Sequence, residues 1–434
     1  MMDTTALAAI ILAVFVFGFL ASGIWVSVTL LSAGMVMMAL FTPAPMGALM
    51  ASTLWDASWS WALTSLPLFV WMGEILFRSN LSRHMFQGLA PWVGRLPGGL
   101  LHVNILGCGV MAAITGSSAV TCATIGRMSV PELNRRGYPI RQTIGTLAGS
   151  GTMGLLIPPS IIMIVYGVSA EQSIGRLFMA GIVPGLLLIV LYMGYVAIWS
   201  RLNPDGMPER DQRTSWRSRL AVLPQLLPSI GLVVFVIGSI YTGIATPTEA
   251  AVIGVIGALM LSTLYRTLNW TSFQEGLMAA VRTSCMISFI IAAASCLSIA
   301  VAFIDLPREL AGWVGSFGFS SYTLLLVMAL LILIMGCFLE GISIIVLTSS
   351  VMLPLVEAAG LDLIWFGIFV VILIEAAQIT PPVGFNLFVM QSLTGENILL
   401  IARAALPYFL LLIVLLVTIT LFPALVLSLP EMMR

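Results

Sequence analysis

The chain has 434 residues, of which 60% are hydrophobic and only 8% are charged. Because soluble domains carry about 25% charged residues, this composition excludes a soluble fold and predicts an all-α polytopic protein embedded in a lipid bilayer. The net charge is zero and all eighteen basic residues are arginine, so no basic patch for nucleic acid is expected.

Apolar runs of about 20 residues mark the helices that can cross the bilayer. The first run, 5–21, has neither a basic flank nor a small-residue cleavage site, so we expect a retained membrane helix rather than a signal peptide. The remaining predicted spans are 28–44, 61–77, 141–168 and 176–200 in the first half, and 219–243, 249–265, 283–303, 363–393 and 398–427 in the second.

Four interruptions of this apolar pattern predict helices that break inside the membrane. Two spans contain a Pro-Pro pair, which removes two backbone donors and so frees carbonyl oxygens. Two other apolar stretches are interrupted by small polar residues. Such freed groups are tolerated at membrane depth only against protein or a water-filled cavity. The interruptions are Pro158-Pro159 in 141–168, Pro381-Pro382 in 363–393, Thr115–Ser118 in 100–127, and Glu340–Ser343 in 321–354.

The two halves of the sequence repeat each other. A shift of 223 positions places four prolines of the first half on prolines of the second, where chance would place fewer than one. The segment Arg201–Arg219 is the one long charged stretch. We therefore predict a first repeat at 1–200, a linker at 201–218 and a second repeat at 219–434. The matched prolines are Pro131 with Pro354, Pro158 with Pro381, Pro159 with Pro382, and Pro184 with Pro407.

A short segment of mixed polarity in each half contains a matched Trp-Val-Gly sequence, at Trp92 in one half and at Trp313 in the other. Tryptophan is enriched at the level of the lipid headgroups. The segments 84–98 and 305–318 are therefore predicted to be interfacial arms that hold a moving unit against a fixed one.

Arginine placement predicts that the two repeats are inverted in the membrane. Loop 127–141 carries four arginines, whereas its counterpart, 350–364, carries no arginine and two acids. Cytoplasmic loops collect arginine, so equivalent loops face opposite sides. If 201–218 lies in the cytoplasm, the arginine-rich segments on both sides of 100–127 can lie there too only if 100–127 enters and leaves the membrane on the same side. The same count makes 321–354 a re-entrant hairpin from the opposite side. Each half then has five crossings and one hairpin, and both termini are expected on the periplasmic side.

Inverted repeats with broken helices are typical of secondary transporters. Unpaired carbonyls beside small and polar residues suit a cation such as Na⁺, and half-helix N-termini suit a carboxylate. Glu340 and Glu375 lie in predicted membrane segments, so proton coupling is an alternative, unless these acids only bond broken backbone. No catalytic residue, cofactor or transition-metal site is expected, because the chain lacks lysine and has only two histidines.

Three motifs resemble the large membrane subunit of tripartite ATP-independent periplasmic (TRAP) transporters, and the resemblance covers essentially the whole chain. It implies sodium-coupled symport of a small organic acid across the bacterial inner membrane by an elevator movement. It also implies two partners, namely a periplasmic solute-binding protein and a small four-helix membrane subunit that is not fused to this chain. The motifs are Gly149–Gly167, Thr246–Ala251 and Ile379–Asn386.

The same resemblance places a transport domain in 100–168 and 321–393, with two sodium sites where a hairpin tip faces a broken helix. The sodium ligands it implies are Gly116, Ser117, Ser118, Gly151, Thr152 and Gly154 at one site, and Gly341, Ser343, Gln378 and Thr380 at the other. The predicted substrate-binding residues are Thr115, Ser118, Pro158, Ser343, Pro381 and Asn386.

Two other functions fit these features. A sodium- or proton-coupled carboxylate carrier of the wider inverted-hairpin superfamily would act alone, without a binding protein. A membrane scaffold without transport is the third interpretation, and the paired breaks argue against it because a scaffold gains nothing from breaking its helices twice. Neighbouring genes for a four-helix protein and a secreted binding protein would favour the TRAP assignment.

Overall fold

A computed structural model describes residues 2–79, 81–204, 207–208, 216–309, 312, 320–382 and 384–433. All regular secondary structure in these ranges is helical. Six helices there are long and apolar enough to cross a bilayer, or seven if one bent pair counts as a single span. The predicted all-α polytopic membrane protein is confirmed.

The first half is a series of α-helices that are interrupted where glycine, serine and proline cluster. A short 3₁₀ turn precedes α4, and another follows α8. The helices are α1 (Met2–Ala21), α2 (Val26–Phe41), α3 (Met46–Ser58), α4 (Ser65–Phe77), α5 (Leu81–Val93), α6 (Leu101–Thr115), α7 (Ser118–Arg135), α8 (Ile140–Gly151), α9 (Ile161–Ser169) and α10 (Ile174–Leu202).

The second half repeats this order of elements. One long helix, α13, takes the place of the bent pair α3–α4, and a short extra helix ends the chain. The helices are α11 (Trp216–Tyr241), α12 (Pro247–Leu264), α13 (Trp270–Phe303), α14 (Ser321–Gly336), α15 (Gly341–Ala358), α16 (Leu363–Gln378), α17 (Phe385–Thr394), α18 (Ile398–Leu421) and α19 (Ala424–Met432).

The predicted hairpins are pairs of helices, but their second helices are longer than predicted. α7 continues past 127 to Arg135, and α15 continues past 354 to Ala358. The charged end of α7 stays helical because Arg135 and Arg136 each reach back to Glu132 at 2.7 Å, an arrangement that supports a helix surface. The predicted loop 127–141 is therefore only a short turn.

One helix was not predicted, and the start of another was predicted wrongly. Helix α3 was not predicted, since its 13 residues are too few and too mixed to resemble a span, and α4 follows it at a bend of 49°. Helix α13 begins at Trp270 rather than at 283 because Asn269 caps it, accepting a hydrogen bond from the Ser272 N–H at 2.8 Å. The early part of α13 is bound to α4 by an ion pair of Arg78 with Glu275 at 2.6 Å.

Helices α2 and α4 both pack closely against α13. A Cβ atom on Gly34 of α2 would lie 3.2 Å from the backbone of Cys296 in α13, so the two backbones are nearly in contact. The rings of Trp71 and Phe273 meet edge to face at 5.7 Å on the α4 side of the same helix. These three helices are therefore joined through α13, and we call them the α2–α4–α13 group.

Parts of two predictions lie outside the described residues. They are Trp313 with its Trp-Val-Gly sequence, and residues 205–206 and 209–215 of the predicted linker. The first predicted arm is largely helical, as α5. The second arm and the linker remain predictions.

Candidate functional site

The break between α6 and α7 is a tight turn that hydrogen bonds of the Thr115 side chain hold together. Gly116 ends α6 with a φ of 59°, a left-handed conformation that glycine adopts without steric cost. The Thr115 hydroxyl donates to the Met111 carbonyl at 3.0 Å and lies 2.8 Å from the Thr121 hydroxyl. The first turn of α7 is thereby fixed to the end of α6.

The break between α8 and α9 follows from its two prolines. Pro158 and Pro159 carry no N–H, so carbonyls one turn earlier lose their helical donors. The Ser160 hydroxyl replaces one of them by donating to the Leu155 carbonyl at 2.5 Å. The Thr152 hydroxyl donates to Gly149 at 2.9 Å, which holds the last turn before the break.

The α6–α7 turn packs directly on this break. A Cβ atom on Gly154 would lie 2.6 Å from the Ser117 carbonyl, and one on Gly116 would lie 2.8 Å from the Pro159 carbonyl. The Ile161 N–H, which begins α9, points to the Gly116 carbonyl at 3.4 Å. Only glycines allow so close an approach of two backbones.

At the break between α16 and α17, backbone carbonyl oxygens lie close to Gly384. This residue has a φ of 30°, and a Cβ atom on it would lie 2.7 Å from the Thr380 carbonyl oxygen and 3.1 Å from that of Gln378. The Thr380 hydroxyl turns back to the Ala376 carbonyl at 2.7 Å. The two carbonyl oxygens, with the Leu387 side chain at 2.9 Å, therefore surround the position that a side chain of Gly384 would take; we call this position the Gly384 pocket.

The turn between α14 and α15 packs on the second break in a similar way. A Cβ atom on Gly341 would lie 2.7 Å from the Ile374 side chain and 3.7 Å from the Gln378 amide nitrogen. Gly336, at the end of α14, lies against Ala377 of α16. The Glu340 side chain at this turn is exposed, whereas the matching turn of the first half carries no acid.

Each helix pair also reaches the break of the other half. The Ser118 hydroxyl, at the start of α7, donates to the Asn386 side-chain oxygen in α17 at 2.9 Å. In the reverse direction, Gly341 of α15 lies against the Ile162 side chain of α9. The four interrupted elements are therefore linked across the two halves, and polar groups of residues 268 positions apart are in direct contact.

Several polar atoms near this meeting point are buried and have no hydrogen-bond partner among the described residues. They are both carboxyl oxygens of Glu375, the side-chain oxygen of Gln378 and the side-chain nitrogen of Asn386. Buried polar groups are normally paired, so these donors and acceptors are available to a further partner.

The structure brings some of the predicted site residues together and places others apart. Gly116, Ser117 and Gly154 lie together at one break, Gly341 and Gln378 lie at the other, and Ser118 joins Asn386 between them. Gly151 lies against Cys122 of α7. Ser343 is buried in the first turn of α15. Pro158 lines an apolar cavity of about 530 Å³ between α6, α10 and α11, and Pro381 is exposed.

The polar groups at the breaks are mainly oxygen atoms of carbonyl, hydroxyl and amide groups. The described residues contain no group of three or more His, Cys, Asp and Glu side chains that could hold a metal ion. What the breaks supply is carbonyl, hydroxyl and amide oxygen, the ligand type that Na⁺ and other hard cations take.

Comparison with known families identifies this architecture. Residues 12–425 match the model of the DctM component of the tripartite ATP-independent periplasmic transporters. The chain belongs to this family. It is therefore a TRAP transporter large permease subunit and a multi-pass membrane protein, as the sequence motifs predicted.

Individual relatives agree with this assignment. The chain is 36% identical over 394 residues to the C4-dicarboxylate TRAP transporter large permease protein DctM of Pseudomonas aeruginosa, covering 90% of this chain and 91% of that protein. It is 31% identical to the 2,3-diketo-L-gulonate TRAP transporter large permease protein YiaN of Escherichia coli, covering 87% and 88%. It is 32% identical to the isethionate TRAP transporter permease protein DctMQ of Oleidesulfovibrio alaskensis, covering 84% of this chain but 57% of that protein.

The TRAP permease shares its fold with a solved transporter. The crystal structure of the Alcanivorax borkumensis YdaH transporter superposes with a TM-score of 0.63 at 14% identity, covering 92% of this chain and 98% of that chain. At this identity the likeness concerns the fold alone.

Sequence reasoning missed a buried polar network that unites the first hairpin with its broken helix. The Asn104 amide of α6 donates to the Thr146 hydroxyl of α8 at 2.9 Å, and the Ser129 hydroxyl of α7 donates to the Asn104 oxygen. A second missed contact is the Tyr166 hydroxyl of α9, which donates to the Leu363 carbonyl of α16 at 2.6 Å. An asparagine within an apolar run was the one available signal.

Proposed function

We propose that this TRAP permease imports a small organic acid together with Na⁺. The observation that carries the proposal is the contact of Ser118 with Asn386, because it joins the turn of one half to the Pro-Pro break of the other. Broken helices that meet in this way form the substrate and ion sites of secondary transporters.

Sodium coupling is supported by the oxygen groups at the two breaks. The Gly384 pocket has two carbonyl oxygens facing one space, and the first break offers the Ser117 carbonyl beside Gly154. These groups carry no formal charge, so they can bind a monovalent cation and release it again. We assign one sodium site to each break, as the sequence motifs imply.

An elevator movement of inverted repeats is the mechanism that fits this arrangement. The helices α6–α9 and α14–α17 contain the four interruptions and contact one another, and we propose that they move as one transport unit. The α2–α4–α13 group forms part of the fixed scaffold. The opposite charge of matched loops supports the inversion, with both termini in the periplasm and the chain in the bacterial inner membrane.

The substrate class is supported by the relatives, which are described as transporters of C4-dicarboxylates, 2,3-diketo-L-gulonate and isethionate. All three are small organic acids. A C4-dicarboxylate is the first substrate to test, because it is the substrate named for a relative 36% identical to this chain.

Two partner proteins complete the proposed transporter. The family is described as tripartite, and a relative named DctMQ is a longer protein of which this chain covers 57%. We propose that a separate small membrane subunit supports the scaffold and that a periplasmic solute-binding protein delivers the acid.

Reconstitution tests the proposal. The permease and its small subunit are placed in proteoliposomes with the binding protein and a labelled C4-dicarboxylate, under either an inward Na⁺ gradient or an inward proton gradient. Uptake is expected only with the Na⁺ gradient and only when the binding protein is added. Equal uptake under the proton gradient alone would reject sodium coupling, and full uptake without the binding protein would favour a carrier that acts alone.

A further inference from the structure

A cavity remote from the four breaks lies where the ends of α8, α10 and α18 meet. Its volume is about 480 Å³, within the range of roughly 300–1,000 Å³ typical of small-molecule sites. None of the residues that line it is acidic. Its polar lining consists entirely of side chains that donate hydrogen bonds, namely Arg141, Gln142, Tyr195, Trp199 and Arg403.

The two arginines are held near each other by the backbone and not by their own flexible side chains. Helices α8 and α18 touch where Gly145 lies against the Ala404 carbonyl. Arg141 precedes Gly145 by one helical turn, and Arg403 adjoins Ala404. The closeness of the two charges is therefore built into the packing of two helices.

Among the residues that the structure describes, neither Arg141 nor Arg403 forms an ion pair with an acid, and both arginines are exposed. Arg141 also lies in the first turn of α8, which contains no acid, although the positive end of a helix dipole favours acids there. Arg141 and Arg403 therefore place two positive charges beside the N-terminus of α8, where an anion is favoured.

The residues around the cavity are of the kind found at the boundary of a membrane. Helices α10 and α18 both qualify as membrane spans. Trp199 is in the last turn of α10, and Arg403 is in the second turn of α18. Tryptophan, tyrosine and arginine together are typical of the headgroup level, and basic pockets between membrane helices bind anionic headgroups.

From these features we infer that the cavity binds the phosphate of an anionic phospholipid headgroup. Apolar side chains beside the cavity favour a lipid over a free anion. Ile198 of α10 and Leu406 of α18 are 60% and 53% exposed in the isolated chain, and they would lie along the acyl chains of a lipid whose phosphate sits between the arginines. A soluble phosphate would gain nothing from these flanks. The inference does not depend on which solute the permease carries.

The test measures lipid binding instead of transport. The permease is purified into nanodiscs of phosphatidylcholine with or without phosphatidylglycerol, and bound phosphatidylglycerol is counted by native mass spectrometry. The double variant Arg141→Gln/Arg403→Gln is expected to bind phosphatidylglycerol roughly 30-fold more weakly, the effect of losing two charges that each face the lipid surface. The control Arg176→Gln/Arg282→Gln removes equal charge from two exposed arginines that do not line the cavity.

Two further measurements decide between outcomes. All three proteins are expected to melt at the same temperature in pure phosphatidylcholine, which shows that the variants fold, and only the cavity variant should lose the added stability that phosphatidylglycerol gives. Inorganic phosphate alone should not protect any of them. Equal loss of lipid in both double variants, equal protection by free phosphate, or preferential binding of a C4-dicarboxylate at the cavity would each overturn the inference.

Discussion

At Gly384 a single missing side chain leaves two carbonyl oxygens facing one small space. The sequence predicted a break at Pro381-Pro382, because proline removes donors wherever it stands. It did not predict that Gly384 would gather the carbonyls of Gln378 and Thr380, since that depends on a backbone φ of 30°. The chemistry of such a pocket therefore cannot be obtained from residue types alone.

Substitution of Gly384 tests whether this pocket binds the coupling cation. In Gly384→Ala the new methyl group would lie 2.7 Å from the Thr380 oxygen, so it should fill the pocket. Uptake should then be abolished, or it should need a much higher Na⁺ concentration. Gly395→Ala is the matched control, because Gly395 also has a positive φ, of 71°, with nothing within 4 Å. Both variants should lose about 1 kcal/mol from left-handed strain. Gly384→Ala should lose about 1–3 kcal/mol more from its close contacts, and it alone should lose Na⁺ dependence. An identical Na⁺ response in both would exclude the Gly384 pocket as the ion site.

The second residue-scale prediction concerns Glu375, which is fully buried with no partner for either carboxyl oxygen among the described residues. A buried, unpaired charge costs several kcal/mol, so we expect the carboxyl group to be neutral. Glu375→Gln, which keeps the shape, should then leave the melting temperature and Na⁺-driven uptake unchanged. The exposed Glu340→Gln serves as a control for the loss of one acid. A large drop in stability of Glu375→Gln alone would show that a charged Glu375 binds a cation.

At the scale of elements, the sequence predicted where helices break better than where they end. Breaks are marked by proline and glycine, whose effects are local. Helix ends depend on charged side chains that fold back, as Arg135 and Arg136 do on Glu132, and on caps such as Asn269. The early part of α13 was missed because its polar residues pair with another helix, as Glu275 does with Arg78.

Helix packing between α8 of the proposed transport unit and α18 yields an element-scale prediction. Helix α8 lies so close to α18 that a Cβ atom on Gly149 would be 2.5 Å from the Cβ of Tyr408. Gly149→Ala should therefore force the helices apart and cost about 1–3 kcal/mol, measured as a lower melting temperature in detergent. Gly194→Ala in α10 meets nothing within 4 Å and should change stability by less than about 0.5 kcal/mol. Equal melting temperatures for the two variants would show that α8 and α18 have room to separate.

At the scale of the whole molecule, the order of the helices could be predicted, but the contacts between helices of the two halves could not. Matched prolines at one offset revealed the repeated order. The contact of Ser118 with Asn386 joins residues 268 positions apart, and no local pattern encodes that pairing. The network around Asn104 has the same character, since it depends on three helices meeting.

The proposed elevator predicts that the transport unit moves relative to the α2–α4–α13 group. A cavity of about 730 Å³ lies beside the contact of α13 with α15, and its lining includes Ser298 of α13 and Ser349 of α15. In a cysteine-free background, a bifunctional thiol reagent that joins Ser298→Cys to Ser349→Cys should stop uptake almost completely, because the two helices could no longer slide.

The control joins two helices on the fixed side. Arg78 and Glu275 already meet at 2.6 Å between α4 and α13, so linking Arg78→Cys to Glu275→Cys should leave uptake close to that of the uncrosslinked pair. Substrate binding to the crosslinked Ser298–Ser349 pair should persist, because the breaks themselves are untouched. If uptake continued at the full rate with that pair verifiably crosslinked, α15 would not move against α13, and transport would have to proceed by local opening of the two turns.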